Sequence, residues 1–131
     1  MYAKEELHCR ETRFPGQDFN GHMWLEVSLL HRETLLVGTI YRSPGSSVQN
    51  DAALCTLLNA SISRGGYDHV LIVGDFNLPN IDWETRMPLD SNTHFSHAFL
   101  EAINDCFLFQ KVAEPTRYRD RNTPYILDLV L

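Results

Sequence analysis

The sequence predicts an α/β layered domain, and three observations predict it. A continuous apolar, β-branched run, Val70-Leu71-Ile72-Val73, stops at Gly74 and reads as a strand buried on both faces. Two strand-like segments precede it, and apolar residues at helical spacing lie between the second of them and Val70. The chain has 131 residues and is 44% hydrophobic, which suffices for a core and for one domain at most.

The elements follow in order. Met23-Trp24-Leu25-Glu26-Val27-Ser28-Leu29 alternates, the mark of a half-buried strand. The polar turn His31-Arg32-Glu33-Thr34 separates it from Leu35-Leu36-Val37-Gly38-Thr39-Ile40-Tyr41, and the two strands predict a hairpin. Residues 42–49 form a loop rich in Pro, Gly and Ser. Asn50 suits the N-cap of a helix that buries Leu54, Leu57, Leu58 and Ile62 and ends at Arg64-Gly65-Gly66. The Val70 strand comes next. Residues 84–92 read as polar loop, and a second helix over residues 93–105 is expected to bury Phe95, Ala98, Phe99, Ala102 and Ile103. Phe107-Leu108-Phe109 reads as a short strand and Tyr125-Ile126-Leu127-Asp128-Leu129-Val130-Leu131 as a longer one. That last strand has no turn residue to stop it, and the first twenty residues give only a weak strand signal. A sheet needs covered faces and protected edges, so the domain is expected to be truncated at both ends.

Composition excludes several function classes. No apolar run approaches the roughly eighteen residues of a membrane-spanning helix, and Met1-Tyr2-Ala3-Lys4-Glu5-Glu6 lacks the apolar segment of a signal peptide. Cys9, Cys55 and Cys106 are odd in number and lack metal-ligand spacing, as expected of reduced thiols. An intracellular location, nucleus or cytoplasm, is therefore expected. The net charge of −6 is the wrong sign for a protein that neutralises phosphates with Lys and Arg. One local exception is Arg117, Arg119 and Arg121, interleaved with Tyr118. That segment suits contact with a nucleic-acid backbone, or else a solvated loop offset by Glu114 and Asp120. The six histidines, His8, His22, His31, His69, His94 and His97, show no ligand spacing and read as structural or exposed.

The chemistry-bearing residues sit at strand ends. If the extended chain continues past Gly74, Asp75 and Asn77 share one side while Phe76 turns into the core. An anion able to hold water or metal and a neutral amide able to donate to a phosphate oxygen then meet where α/β proteins bind ligands. The alternative is ordinary turn chemistry, because Asp and Asn hydrogen-bond their own backbone. Tyr41 ends its strand before Arg42-Ser43-Pro44, and reads alone as a half-buried aromatic with its hydroxyl at the rim. Asp128 interrupts an apolar strand; a buried lone carboxylate is costly, so it reads as either functional or an edge residue facing solvent.

The segment Gly74-Asp75-Phe76-Asn77-Leu78-Pro79-Asn80-Ile81-Asp82-Trp83 resembles the signature of the endonuclease/exonuclease/phosphatase family. Its Asn-Ile-Asp-Trp extension resembles in particular the endonuclease domain that precedes the reverse transcriptase in non-LTR retrotransposons. Gly38-Thr39-Ile40-Tyr41-Arg42-Ser43-Pro44 resembles the second family motif, whose Tyr hydrogen-bonds the scissile phosphate. Ile126-Leu127-Asp128-Leu129-Val130-Leu131 resembles the penultimate one, whose Asp orients a catalytic His.

The resemblance runs from about Tyr2 to Leu131 and covers the central and later part of the family domain, so residues 1–131 are expected to be a partial domain. It implies part of a four-layer α/β/β/α sandwich. It also implies phosphodiester hydrolysis with Mg²⁺ or Mn²⁺, with Asp75, Asn77, Tyr41 and Asp128 as the catalytic set. DNA is the implied partner, for a monomer whose parent protein carries a reverse transcriptase. The family's metal-binding Glu, its first Asn and its final Asp-His pair have no counterpart in the sequence, so Asp75 is the one candidate metal ligand. A chain with these gaps is expected to be a weak or inactive nuclease. A phosphatase of the same fold acting on small phosphorylated substrates and a non-catalytic remnant are the alternatives.

Overall fold

A computed structural model describes residues 7–13, 18–89, 94–118 and 123–131. Its centre is a five-stranded mixed sheet built from β1 (Cys9–Thr12), β2 (His22–Ser28), β3 (Thr34–Tyr41), β4 (His69–Asp75) and β7 (Asp128–Val130), in the order β1-β2-β3-β4-β7. β1, β2 and β3 run antiparallel as a meander; β3 and β4 are parallel; β7 pairs antiparallel with β4. The one parallel pair is bridged by α1 (Val48–Ser63), as a parallel connection requires. The predicted hairpin of β2 and β3 is present, closed by a short 3-10 turn at Leu30–Arg32.

Register decides which face is which. Trp24, Leu36, Gly38, Ile40, Val70, Ile72, Gly74 and Leu129 fall on one face. The large side chains of that face form a single core with Leu54, Leu57 and Leu58 of α1 and Phe99 and Ile103 of α2 (His94–Asp105). Gly38 lies under the Trp24 ring, where an added Cβ would come within 2.3 Å of the indole. The opposite face, including Met23, Leu25, Leu35, Val37, Leu71 and Val73, is only partly covered. The sequence expectation that the Val70 run is buried on both faces therefore holds for one face. Ile72 is fully buried, whereas Leu71 and Val73 are half-buried because no helix among the described residues packs over them.

Local chemistry corrects several boundaries. α1 starts before Asn50: Ser47 is the N-cap, and its hydroxyl accepts the Asn50 N–H at 3.2 Å. Asn50 instead fastens the loop, donating from Nδ2 to Ser46 Oγ at 2.9 Å and accepting the Asn20 N–H at 3.1 Å. In α2, Ala98 is exposed, and Ser96 and Leu100 take buried positions beside Phe99, Ala102 and Ile103. Phe107-Leu108-Phe109 is not a strand. Phe107 adopts φ 54° and is 83% exposed, and the N–H of Leu108 returns to the Ile103 carbonyl at 2.9 Å, so the segment closes the end of α2. Residues 84–92 are not all loop: β5 (Ile81–Asp82) and β6 (Met87–Pro88) make a small hairpin. Asp82 Oδ1 accepts the N–H groups of Glu84 and Thr85 there, and hydrogen bonds from Thr85 and Glu84 hold its carboxyl below the usual range.

Tryptophan and histidine meet at the start of β2. Trp24 Nε1 donates to His22 Nδ1 at 2.9 Å, which requires an unprotonated Nδ1, and burial lowers the His22 pKa from 6.5. The unfolded chain then binds a proton that the folded chain refuses, so this contribution is full above pH 6.5 and is lost as pH falls through the lower folded value. The expected result is that His22→Asn, which keeps an acceptor without the titration, loses less stability than the parent chain between pH 7.5 and 5. The urea midpoint at each pH is the measurement, and equal losses in both chains would contradict this account.

Candidate active site

The strands bring three of the sequence-predicted residues into one row. Tyr41 on β3 is the register partner of Asp75 on β4, and Asp75 is the partner of Asp128 on β7. Adjacent strands lie about 4.8 Å apart, and partners on neighbouring strands project to the same face. The row therefore gathers a phenol and two carboxylates at the carboxyl end of β3 and β4, on the face away from the helices. Tyr41 is 56% exposed and Asp75 half-buried. Aspartates directly opposite each other repel, and no Lys or Arg among the described residues pairs with either.

Asp128 is exposed, not buried. It starts an edge strand whose core side is taken by Leu127, Leu129 and Leu131, so alternation turns its carboxylate outward. The Thr116 hydroxyl accepts the N–H groups of Leu127 and Asp128 at 3.0 and 3.1 Å and sets where this strand begins.

Asn77 also departs from expectation. The chain does not stay extended past Asp75: Asp75 Oδ1 accepts the Asn77 N–H at 3.0 Å, and Asn77 turns to φ 47°. The turn chemistry and the site chemistry thus use the same aspartate. Phe76 does enter the core, fully buried, with its ring 5.4 Å from that of Phe99. The Asn77 carboxamide is buried beside the row, donating from Nδ2 to the Arg42 carbonyl at 2.7 Å. Asn77 lines a cleft of about 340 Å³ together with Pro44, Pro79, Arg117 and Tyr125. Arg117 is brought to this cleft by paired backbone hydrogen bonds with Tyr125. Arg119 and Arg121 lie outside the described residues.

The expectations from sequence missed the support beneath the turn. Arg42 is buried, forms a two-pronged ion pair with Asp51 at 2.7 and 2.9 Å, and reaches the Phe76 and Asn77 carbonyls. A charged residue after a strand reads as solvated, so the available signal was Asp51 nine residues on, in the first turn of a helix.

The resemblance implies a divalent cation. Mg²⁺ is commonly held through one or two carboxylates, with water and substrate phosphate completing its shell. Asp75 supplies one such carboxylate, and Asp128 lies opposite it in register. Among the described residues no cluster of three or more His, Cys, Asp or Glu provides a fuller cage.

Comparison with known proteins identifies the family and the fold. A family model described as endonuclease-reverse transcriptase matches residues 35–131, from β3 through β7. The chain belongs to the endonuclease-reverse transcriptase family. The family match spans Tyr41, Asp75, Asn77 and Asp128 together. Among solved structures, the endonuclease domain of TRAS1, a telomere-specific non-LTR retrotransposon, superimposes with a TM-score of 0.66 at 12% identity. The superposition covers 95% of this chain and 53% of that one, so this family member spans about half the length of the TRAS1 domain. No curated protein matches the chain by sequence. The α/β fold expected from the sequence is thus the fold of a retrotransposon endonuclease domain. Among the described residues, no helix is long and apolar enough to cross a membrane.

Proposed function

We propose that this chain is part of a metal-dependent endonuclease domain of retroelement origin that hydrolyses phosphodiesters in DNA. The observation that carries the reading is the row of Tyr41, Asp75 and Asp128 with Asn77 beside it. Asp75 orients or deprotonates the attacking water through Oδ2, since Oδ1 holds the Asn77 N–H. Tyr41 donates its exposed hydroxyl to a phosphate oxygen. Asn77 holds the water or a developing phosphoryl oxygen from the wall of the cleft, and Arg117 lies there to meet the nucleic-acid backbone. Asp75 is the candidate ligand for Mg²⁺ or Mn²⁺, which when bound would offset charge on the phosphate and the leaving oxygen. The role of Asp128 toward a His has no recipient in this sequence. Residues of a catalytic unit fail together, so this chain alone is a slow enzyme.

The test is nicking of supercoiled plasmid by the purified chain with Mg²⁺ or with EDTA. Slow Mg²⁺-dependent nicking is expected, falling by about 10²-fold or more in Asp75→Ala. Nicking that survives this substitution, or none from a folded parent chain, overturns the reading in favour of a non-catalytic remnant. Release of inorganic phosphate from small phosphate esters without nicking would favour the phosphatase alternative.

A further inference from the structure

We propose that Arg42 is a positioning residue for the phosphodiester site, acting through Asn77, with Asp51 holding its guanidinium in place. The proposal rests on the function argued above. Six hydrogen bonds converge on this one residue. Its N–H donates to the Asp75 carbonyl at 2.9 Å, which carries the β3–β4 pairing one step past the Tyr41–Asp75 partners. Its carbonyl accepts Asn77 Nδ2 at 2.7 Å. Its Nη1 donates to the carbonyls of Asn77 at 3.1 Å and Phe76 at 3.4 Å. Its Nε and Nη2 fork onto Asp51. The guanidinium lies 4.6 Å from the centre of the Phe95 ring, so α2 closes over it.

The consequence concerns the carboxamide of Asn77. Asn adopts positive φ more readily than most residues with a Cβ, and its surroundings decide which conformer it keeps. Arg42 grips that residue at both ends, through its backbone carbonyl and through its side-chain amide. With one Nδ2 hydrogen fixed on the Arg42 carbonyl, Oδ1 and the second N–H are what Asn77 presents to the cleft. Displacing a positioned group by about 1 Å can cost about 10²-fold in rate. A buried ion pair contributes little net stability against well-packed apolar residues, so stability alone does not explain it here. Arginine is needed in this role because lysine has no fork: it could meet Asp51 or the two carbonyls, but not both.

The experiment follows the Asn77 side-chain amide by ¹⁵N NMR in the parent chain and in Arg42→Lys, with core methyl signals reporting the fold. Nicking kinetics run in parallel. The expected result is a folded Arg42→Lys chain whose two Asn77 amide protons lose their separation. Its kcat for nicking falls by about tenfold or more while KM moves less than about twofold. If Arg42→Lys does not fold, the double variant Arg42→Met/Asp51→Leu, which leaves no buried charge, takes its place. Unchanged Asn77 amide signals in a folded variant overturn the proposal, and so does the failure of both variants to fold, since Arg42 is then a strut of the core. Parent chain that does not nick, with Asn77 signals that still depend on Arg42, removes the proposed function and leaves the positioning intact.

Discussion

Gly74→Ala is expected to abolish folding of this chain. A Cβ at residue 74 would lie 1.8 Å from the Ile40 carbonyl oxygen and under 3 Å from the Ile40 carbonyl carbon and nitrogen. All three atoms are backbone of the neighbouring parallel strand, so no rotamer change relieves the clash. The φ of +153° adds a conformation that residues with a Cβ rarely adopt. The Ile40–Gly74 pair lies at the centre of the sheet, with Leu129 of β7 opposite on the other side. Separating the strands there opens the core over Ile72 and Phe76 and pulls Tyr41 from Asp75 in the next row. A loss above about 4 kcal/mol is expected, against a total of about 5–15 kcal/mol for a typical domain. Gly45→Ala is the control: an added Cβ meets nothing within 4 Å, and the change should stay within about 0.5 kcal/mol. Urea unfolding followed by circular dichroism reads both. A Gly74→Ala chain with a midpoint close to that of Gly45→Ala would show that β3 and β4 are not paired in this register.

This contrast shows what the sequence could and could not convey. Local signals carried β2, β3, β4, part of β7 and both helices, because hydrophobic period depends on neighbours in sequence, but they missed β5 and β6 and marked Phe107-Leu108-Phe109 as a strand. The site row did not have that advantage. Tyr41 and Asp75 are partners across 34 residues, and Asp75 and Asp128 across 53, so their alignment is a property of register. Asp128 shows the limit from another side. Leu127, Leu129 and Leu131 alternate with it, and that period-two pattern already pointed the carboxylate away from the core. Asn77 failed as an extended residue because Asp75 could satisfy the turn, a competition that local sequence states but does not resolve. Asn50 lost the cap to Ser47 for a similar reason: the loop before the helix offers several good caps, and tertiary contact with Asn20 decides among them. Arg42 and Asp51 were illegible because mutual burial of opposite charges needs the α1 contact that only the fold supplies.

Asp51→Ala should destabilise the chain by about 3–5 kcal/mol, because it strands the Arg42 guanidinium without its carboxylate in a place where both side chains are 9% exposed. Asp51 also lies in the first turn of α1, where a negative charge is favourable near the helix N-terminus, so its loss weakens the helix as well. Arg42→Met/Asp51→Leu should recover most of that loss, since burying two apolar chains costs no desolvation of charge. The urea midpoints of the single and double variants measure the difference. Recovery of stability should not restore the geometry of the turn. Methionine cannot donate to the Phe76 and Asn77 carbonyls, so Asn77 loses the contact that holds it at φ 47°. The double variant thus separates two roles that coincide in the parent chain: a filled core beneath the turn, and a fixed carboxamide above it. If Asp51→Ala costs less than about 1 kcal/mol, the guanidinium has found solvent, and the clamp beneath the turn is looser than 2.7 and 2.9 Å contacts imply.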